Sequence, residues 1–365
     1  MHDPAPGTAA RLTVDLGAIR RNYRRIKAAL GSVPAAGVVK ADGYGLGAVP
    51  IGQALWRDGC RTFFVAHFEE GVALREAMPE AEIFVLSGAA PGDEPEFAAH
   101  ALAPVLNSLR EVEAWAALCA KRGPRPAAIH IDTGMSRLGL PADEAERLAT
   151  SPRTLGAIDL RVVMSHLCCA EEPAHQMNPR QLADFRRVAA RLPKARLSLA
   201  NSSGVFLGAD YHFDLARPGS ALYGLNPTPG QPNPMEGVAL LEARLLQVRH
   251  VDPGGTVGYG AAPLAQGTKI ATIAIGYADG YRRAASGRGR MMHAGREMPV
   301  LGRVSMDTVT LDATDVPDAV LVPGTWVEVM GPSRDADAVA ADAGTIAYEI
   351  LTGLGRRLTR RYVDG

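Results

Sequence analysis

The sequence predicts an α/β fold: an N-terminal (β/α)8 barrel of the TIM type, followed by a C-terminal, mainly β domain. The first two-thirds of the 365 residues alternate short apolar runs with alanine-rich amphipathic stretches, the pattern of parallel strands linked by helices. After about residue 239, strand-like runs joined by Pro-Gly and Gly-Gly turns replace this pattern. Eight strand candidates favour a closed barrel. An open doubly wound sheet is the alternative that the pattern leaves open.

Eight apolar runs are the candidate barrel strands, because each is short and bounded by Gly, Pro or a polar residue. The segments between them have helical spacing. In Leu16–Leu30, for example, apolar residues recur every three or four positions after a capping Asp15. In chain order the candidate strands are Ala36–Ala41, Thr62–Ala66, Ile83–Ser87, Ala103–Asn107, Ala128–Asp132, Arg161–His166, Leu197–Asn201 and Leu215–Gly219.

A barrel of this kind carries its functional groups at the carboxyl ends of its strands. Polar side chains do follow the candidate strands, at their ends or a few residues beyond. They are Lys40, His67, Ser87, Asn107, Arg137, His166, Asn201, Ser202 and Arg217. We therefore expect the active site at this edge of the barrel.

The C-terminal segment is expected to form a domain of its own. We place the barrel at residues 11–238 and the β domain at 239–365, with residues 1–10 as a segment that can pack on the β domain. A helical stretch is expected at about 338–354. The candidate strands of the β domain are Leu240–Val251, Lys269–Ile275, Val300–Leu311 and Trp326–Met330.

Composition excludes several functional classes. Hydrophobic residues make up 47% and charged residues 21%, which is enough apolar surface for a large core. Lys plus Arg and Asp plus Glu both total 39, so the chain lacks the basic excess typical of a nucleic-acid binder.

No uncharged apolar run approaches the roughly 18 residues of a membrane span, and residues 1–10 contain no apolar signal-peptide core. Four cysteines are too few for a disulfide framework. We expect a cytoplasmic enzyme.

The first candidate catalytic group is Lys40, in the segment VVKADGYGLG. A lysine that ends a buried strand and enters a glycine-rich loop is partly desolvated. Desolvation lowers its pKa and frees the amine for Schiff-base chemistry. An ordinary lysine that extends from the barrel rim into solvent is the alternative at this point.

Two glycine-containing turns, Asn201–Gly204 and Arg217–Ser220, follow the last two candidate strands. Barrels commonly bind phosphate in the loops after strands seven and eight, through backbone N–H groups and hydroxyls. Each turn alone is equally well an ordinary connection. Together with Lys40 they indicate a cofactor that carries an aldehyde and a phosphate, namely pyridoxal 5'-phosphate.

Three further side chains are candidates, each with a purely structural alternative. Arg137 lies in a glycine-bracketed loop and can bind a carboxylate with two hydrogen bonds, or cap a helix. His166 ends the sixth candidate strand and can pack against a cofactor ring, or be an ordinary core histidine. Tyr259 lies between two glycines, which exposes its phenol, unless it packs within a β-turn. Cys168 and Cys169 have no second pair at metal-ligand spacing, so no metal is expected.

The ordered set of motifs resembles the alanine racemase family over nearly the whole chain. The motifs are VVKADGYGLG, HIDTGMSRLG, SHL, ANSSG, RPGSALYG, VGYG, IGYADGY, GRVSMD and AYEIL. The resemblance implies the same barrel and β domain, pyridoxal 5'-phosphate as cofactor, and a homodimer with shared active sites. It also implies an isomerase that interconverts L-alanine and D-alanine and supplies D-alanine for cell-wall peptidoglycan.

By the same resemblance, Lys40 is the Schiff-base lysine and the base on the D-alanine side. Tyr259, reaching in from the other subunit, is the acid/base on the L-alanine side. Arg217 hydrogen-bonds the pyridine nitrogen, His166 packs on the ring, and Arg137 lies near the cofactor phenol oxygen and the substrate carboxylate. The remaining cofactor contacts matched by the motifs are Tyr44, Asn201, Ser202, Gly219, Ser220 and Tyr348, and the remaining substrate contacts are Met306 from the partner chain and Tyr277 at the entrance.

One position departs from the family pattern. Many members carry a lysine, modified to a carbamate, two residues before the Asp-Thr-Gly-Met motif, and here that residue is His130. An imidazole cannot replace the anionic charge of a carbamate. We therefore expect a bound anion such as chloride, or a hydrogen bond from another residue, to position Arg137.

Other functions remain open. A racemase for serine, or for a broader range of amino acids, is the enzymatic alternative. A non-catalytic carrier of pyridoxal phosphate is the alternative from another class, although such a carrier would need neither the C-terminal domain nor Tyr259. A decarboxylase of similar architecture is disfavoured, because no cysteine follows Cys169 in the C-terminal half.

Overall fold

The computed structural model describes residues 7–264 and 266–365, and within them the chain forms two compact units. One unit comprises residues 19–236, and the other combines residues 7–18 with residues 237–365. Residues 1–6, which are part of the segment expected to pack on the β domain, lie outside the described residues. In the described part of the chain, no helix is both long and apolar enough to cross a membrane.

The unit of residues 19–236 is a barrel of parallel strands that pair in chain order, each with the next. The first strand of the chain, β1 (Ala10–Asp15), belongs to the other unit. The barrel strands are β2 (Gly37–Val38), β3 (Thr62–Val65), β4 (Glu82–Val85), β5 (Ala103–Leu106), β6 (Pro126–His130), β7 (Asp159–Met164) and β8 (Arg196–Ser198).

The eighth position of the barrel is filled by Leu215–Gly219, whose backbone bonds the strands on both sides. Ala36 donates its N–H to Ala216 O at 2.8 Å next to β2, and Arg217 donates its N–H to Ala200 O at 2.8 Å next to β8. The ring of strands is therefore closed. The predicted eight-stranded barrel is confirmed, and the open doubly wound alternative is wrong.

Helices alternate with the barrel strands. The barrel strands β3 and β5 are buried at every residue, as expected for parallel strands covered on both faces. The predicted helix of residues 16–30 buries Ile19, Tyr23 and Ile26 on one face. The helices are α1 (Leu16–Leu30), the single turn α2 (Lys40–Tyr44), α3 (Ala48–Arg57), α4 (Phe68–Ala77), α5 (Glu94–Ala99), α6 (Leu109–Arg122), α7 (Ala142–Ala149), α8 (Pro152–Ala157) and α9 (Met177–Ala189).

The other unit is built on an eight-stranded, mainly antiparallel sheet, which confirms the predicted mainly β domain. Besides β1, its elements are β9 (Ala239–Val251), β10 (Thr256–Val257), β11 (Ala262–Pro263), β12 (Thr268–Ile273), β13 (Arg290–His293), β14 (Arg296–Leu301), β15 (Val309–Asp312), β16 (Trp326–Met330), α10 (Ala336–Ala343), α11 (Ala347–Thr352) and β17 (Thr359–Val363). The strand order of the sheet is β12-β15-β14-β13-β16-β9-β1-β17, and β10 and β11 form a separate two-stranded hairpin.

Strand β1 lies in this second sheet, although the sequence pattern predicts a barrel that begins at residue 11. It pairs antiparallel with β9 and parallel with β17. Ala10, Leu12 and Val14 are buried, and the residues between them are half-buried. Alternation with a period of two residues fits a sheet with one covered face, whereas barrel strands such as β3 and β5 are buried at every residue.

Replacing Leu12 by alanine is expected to lower the free energy of unfolding by about 2–5 kcal/mol, because Leu12 is fully buried in the middle of β1. The matched control is Thr13→Ala, on the half-buried face of the same strand, which should change the free energy by less than about 1 kcal/mol. Denaturant unfolding followed by circular dichroism measures both. Equal losses in the two variants would contradict the assignment of the buried face.

Candidate active site at the carboxyl ends of the barrel strands

Lys40 lies directly after the first barrel strand, at the edge where the sequence predicts it. Val39 donates its N–H to Phe64 O at 2.9 Å, which ties the chain to the neighbouring strand one residue before Lys40. The Lys40 side chain is half-buried. Burial lowers the pKa of its amine, Arg137 lowers it further, and Glu70 acts in the opposite direction. A lowered pKa increases the share of neutral amine, the form that attacks an aldehyde.

The chain leaves Lys40 through a left-handed turn. The angle φ lies between +51° and +61° at all four residues 41–44, and each non-glycine residue in this conformation costs about 1–2 kcal/mol. Gly43 donates its N–H to Val39 O at 2.8 Å and closes the turn. Strained backbone of this kind persists only where surrounding contacts hold it, and it is concentrated at functional sites.

The left-handed turn places Tyr44 against the loops that follow the last two barrel strands. A Cβ at Gly219 would lie 2.3 Å from Tyr44 Oη, so only glycine fits at that position. Ser202 Oγ accepts the N–H groups of Gly219 at 2.9 Å and of Ala221 at 3.1 Å, with Ser220 between them. The four barrel residues that the motifs match to phosphate contacts therefore lie together, as hydroxyls and backbone N–H groups suited to an anion.

The residues Tyr44, Ser202, Gly219 and Ser220 form what we call the phosphate cradle. Two amide side chains hold the loops around it. Asn201 Oδ1 accepts the N–H of Gly204 at 2.9 Å, so Asn201 shapes the phosphate loop. Gln181 Nε2 donates to Thr133 Oγ1 at 3.1 Å and to His166 O at 2.9 Å, and thereby joins the ends of β6 and β7. The sequence does not reveal Gln181, because it lies inside helix α9 and not at a strand end.

Arg217 is a cation buried in the wall of the site. Its side chain donates through Nη1 to Ser198 Oγ and through Nη2 to Ser165 O, both at 2.5 Å. Burial lowers the pKa of the guanidinium to about 9, so that Arg217 remains protonated at neutral pH. Sequence patterns miss Ser165 and Ser198, because a serine within or directly after an apolar run looks like part of a buried strand.

Two histidines near Arg217 are held in their neutral forms. Burial lowers the pKa of His166 well below its usual range, and the cations Arg217, Arg137 and Lys40 lower it further. The pKa of His130 falls to about 4, mainly through burial and then through Arg217. The positive charge at this edge of the barrel therefore comes from Arg217, Arg137 and Lys40, and the two histidines stay neutral and add none. Such a field favours an anionic ligand.

His130 lies two residues before the Asp-Thr-Gly-Met motif, and its partner is Asn107. His130 Nδ1 lies 2.8 Å from Asn107 Oδ1. Asn107 Nδ2 donates to Val105 O at 2.8 Å and to Leu86 O at 3.1 Å. Asn107 Oδ1 is thus the acceptor, and His130 Nδ1 carries the proton. Neither side chain supplies negative charge to Arg137.

Arg137 lies in a loop that Asp132 shapes. Asp132 Oδ1 accepts the N–H groups of Gly134, Met135 and Ser136 at 2.9, 3.0 and 3.1 Å. The Arg137 side chain is exposed. Its guanidinium lowers the pKa values of both Lys40 and His166, so its charge acts on the same edge of the barrel.

In the other unit, three of the sequence motifs, VGYG, IGYADGY and GRVSMD, meet. A Cβ at Gly276 would lie 2.2 Å from Met306 O, and a Cβ at Gly260 would lie 3.2 Å from Arg303 Cζ. Three large side chains of these motifs are exposed, namely Tyr259 at 70%, Met306 at 52% and Tyr277 at 42%, whereas Tyr281 is buried. Tyr348 is half-buried in helix α11 of the same unit.

Arg357 joins two of these motifs. Its Nε and Nη2 donate to the Asp279 carboxylate at 2.9 Å each, and its Nη1 donates to Asp307 Oδ1 at 2.7 Å. Asp279 is buried and also accepts the N–H of Gly276 at 2.9 Å. The two carboxylates raise the pKa of Arg357. From sequence alone Arg357 belongs to an undistinguished basic tail.

Known proteins resemble this chain along its whole length. The family model for "Alanine racemase, N-terminal domain" matches residues 14–227, and the model for "Alanine racemase, C-terminal domain" matches residues 238–362. A Mesorhizobium japonicum protein named "Alanine racemase, catabolic" is 52% identical over 360 residues, covering 98% of this chain and 94% of its own. A Methylobacterium protein named "Alanine racemase" is 51% identical over 357 residues, covering 97% and 98%. The crystal structure of alanine racemase from Bartonella henselae with covalently bound pyridoxal phosphate is 42% identical, with a TM-score of 0.94 over 98% of this chain and 100% of that one.

His130 is expected to make the fold sensitive to acid. Its pKa is about 4 in the folded chain against an ordinary value of 6.5. Its contribution to stability is therefore complete above pH 6.5 and is lost as the pH falls towards 4, by about 3 kcal/mol. His130→Gln should remove this part of the pH dependence, and the exposed His250→Gln should retain it. Denaturant unfolding at pH 7 and pH 4.5 measures the difference. An unchanged pH dependence in His130→Gln would contradict the expectation.

Proposed function

Because this chain belongs to the alanine racemase family, we propose that it interconverts L-alanine and D-alanine with pyridoxal 5'-phosphate as cofactor. The observation that carries the proposal is the arrangement at the carboxyl edge of the barrel. There Lys40, with its lowered pKa, and the buried cation Arg217 accompany a cradle of N–H groups and hydroxyls at Tyr44 and Ser202. The covalently bound pyridoxal phosphate of the Bartonella henselae protein supports the same cofactor here.

The residues of the site fit the cofactor's phosphate and ring. We assign the phosphate to Tyr44, Ser202, Gly219 and Ser220, which lie together, and to Tyr348 on the motif alone. Asn201 shapes the phosphate loop, and the neutral His166 would pack against the ring. When bound, the cofactor supplies a conjugated ring that withdraws electrons from the substrate's α-carbon and so makes the α-hydrogen acidic.

Arg217 has a specific role towards the ring nitrogen. With a pKa of about 9 it holds its protons at neutral pH, so it donates a hydrogen bond without transferring a proton. Ser198 and Ser165 fix both of its Nη atoms and thereby set the direction of the guanidinium. Arg217 would therefore leave the ring nitrogen of the bound cofactor unprotonated, which would disfavour transamination.

Racemisation needs an acid/base group on each face of the α-carbon, because a single group returns the proton to the face from which it came. We assign the D side to Lys40, whose lowered pKa leaves more of its amine neutral. We assign the L side to Tyr259 of the partner subunit. An unperturbed phenol titrates near pH 10, so this role requires a partner group that stabilises the phenolate.

The exposure of the second unit's motifs supports a homodimer with shared active sites. Tyr259, Met306 and Tyr277 project from motifs in contact, and all three are exposed in the single chain. Large apolar side chains grouped on a surface mark an interaction site, and a second copy of the chain would cover them. Met306 and Tyr277 would then border the substrate, whose carboxylate we assign to Arg137.

We propose a cytoplasmic enzyme that supplies D-alanine for peptidoglycan. A catabolic role is the second candidate, because the Mesorhizobium japonicum relative is named catabolic. Deletion of the gene separates the two roles: a requirement for D-alanine supports the biosynthetic role, and loss of growth on alanine as a nitrogen source supports the catabolic one. Exchange assays with serine and other amino acids define the substrate range.

Lys40→Ala should abolish both the visible absorbance of the bound cofactor and α-proton exchange of alanine, because among the described lysines Lys40 is the one at the carboxyl end of a barrel strand. Tyr259→Phe should keep the absorbance but reduce exchange from L-alanine by at least about 100-fold. Tyr211→Phe, in the short turn of residues 209–211 and outside all the motifs of the site, is the matched control and should behave as wild type. Absorbance that survives Lys40→Ala would contradict the assignment of the lysine.

Mixing the two inactive variants tests whether the active site is shared. In a dimer of one Lys40→Ala chain and one Tyr259→Phe chain, one site combines the intact lysine with the intact tyrosine. Reassociation of equal amounts should therefore restore about a quarter of wild-type activity. If both groups of each site came from one chain, mixing would restore nothing.

A further inference from the structure

The carboxylate of Glu70 joins the ends of the first two barrel strands. Its Oε1 accepts the N–H of Ala41 at 2.7 Å, directly after Lys40. Its Oε2 accepts the N–H of Ala66 at 2.7 Å and that of His67 at 3.3 Å, directly after β3. The contact with His67 is an ordinary helix cap, because Glu70 lies in the first turn of α4. The contact with Ala41 is not, since it reaches across to another strand.

The turn that follows Lys40 requires such an acceptor. Residues 41–44 are left-handed, a conformation that Ala41, Asp42 and Tyr44 do not favour on their own. The N–H of Ala41 is the first donor of this turn, and a charged carboxylate at 2.7 Å is a stronger acceptor than water or a neutral oxygen. Fixing Ala41 against the end of β3 fixes the residue before it as well, and so the direction in which the Lys40 side chain leaves the strand.

Glu70 also contributes charge to the surroundings of the Lys40 amine. The groups that act on this amine are the cation Arg137, the neutral His166, and Glu70 as the anion. Burial and Arg137 lower the pKa of Lys40, and Glu70 opposes them. The same carboxylate therefore supports both the geometry and the protonation of Lys40.

We propose that Glu70 is a positioning residue for Lys40: its carboxylate holds the left-handed turn that aims the Lys40 amine into the cofactor site. The purpose of this positioning rests on the proposed function, since it presumes that Lys40 holds the cofactor. The contacts themselves can be tested without any assay of racemisation. The matched control is Glu69, an exposed glutamate one residue earlier on the same helix.

The first test is hydrogen–deuterium exchange of the purified full-length protein. Glu70→Gln keeps the size of the side chain but replaces one acceptor oxygen by a donor. Exchange of residues 41–47 should then become at least about tenfold faster, and Glu69→Gln should leave it unchanged. If Glu70→Gln accelerates exchange only within α4, Glu70 is a helix cap alone and the proposal is overturned.

The second test is the titration of the Lys40 amine in the full-length chain without cofactor, from the pH dependence of its reductive methylation. Glu70→Gln should move the titration to lower pH by roughly half a unit or more, and Glu69→Gln should not move it. Glu70→Asp, which keeps the charge, should return it towards wild type. This variant also replaces Glu70→Gln if circular dichroism shows that Glu70→Gln does not fold. A Lys40 titration that is the same in all variants overturns the proposal.

The positioning role and the proposed function can fail separately. If the wild-type chain does not racemise alanine while residues 41–47 and the Lys40 titration still respond to Glu70→Gln, the proposed function is wrong and the positioning of Lys40 stands. If the wild-type chain racemises alanine and neither readout responds, the function stands and the role of Glu70 is wrong. With both intact, Glu70→Gln should lower kcat several-fold with little change in KM, as expected for a misaligned amine.

Discussion

The site depends on a buried guanidinium that has no carboxylate as its direct partner among the residues the structure describes. Arg217 is only 4% exposed, and its two Nη atoms donate to neutral oxygens of Ser198 and Ser165. Burial of a charge costs several kcal/mol unless polar groups replace the lost water. Burial lowers the pKa values of both His130 and His166 most, and the charge of Arg217 lowers them further. The two imidazoles therefore stay neutral, and Arg217 leaves the edge of the barrel with a positive field that favours an anionic ligand.

The second unit is organised around a different constraint, the close contact of loops that carry exposed side chains. Gly276 allows its backbone to approach Met306 O, and a Cβ there would clash at 2.2 Å. Arg357 then joins Asp279 and Asp307, so that an ion pair links two of these loops while the side chains at their tips face solvent. Loops that are linked in this way suit the proposed dimer interface, because ordering them on binding would cost less conformational entropy.

The sequence could predict the barrel, and the ends of its strands as the site, because both follow from local physical rules. A strand buried on both faces must be apolar throughout, and the polar residues that follow it must meet at one edge, as Lys40, His166 and Arg217 do. Partners that arise from long-range packing could not be predicted. Gln181 lies inside a helix, and the contact of Glu70 with Ala41 depends on a left-handed turn for which only Gly43 gives a sequence signal. The pairing of β1 with β17 could not be predicted from the sequence pattern either, because the two strands are far apart in the chain.

The chemistry at position 130 restricts how Arg137 is held. A carbamate would offer oxygen atoms with negative charge, whereas His130 is neutral and donates its Nδ1 proton to Asn107. Asn107 uses both hydrogens of its amide on backbone carbonyls, so it cannot reorient to present its oxygen elsewhere without losing those bonds. A hydrogen bond from this pair therefore cannot replace the missing charge. Both expectations for Arg137, a bound anion and a hydrogen bond from a residue outside this pair, therefore stay predictions.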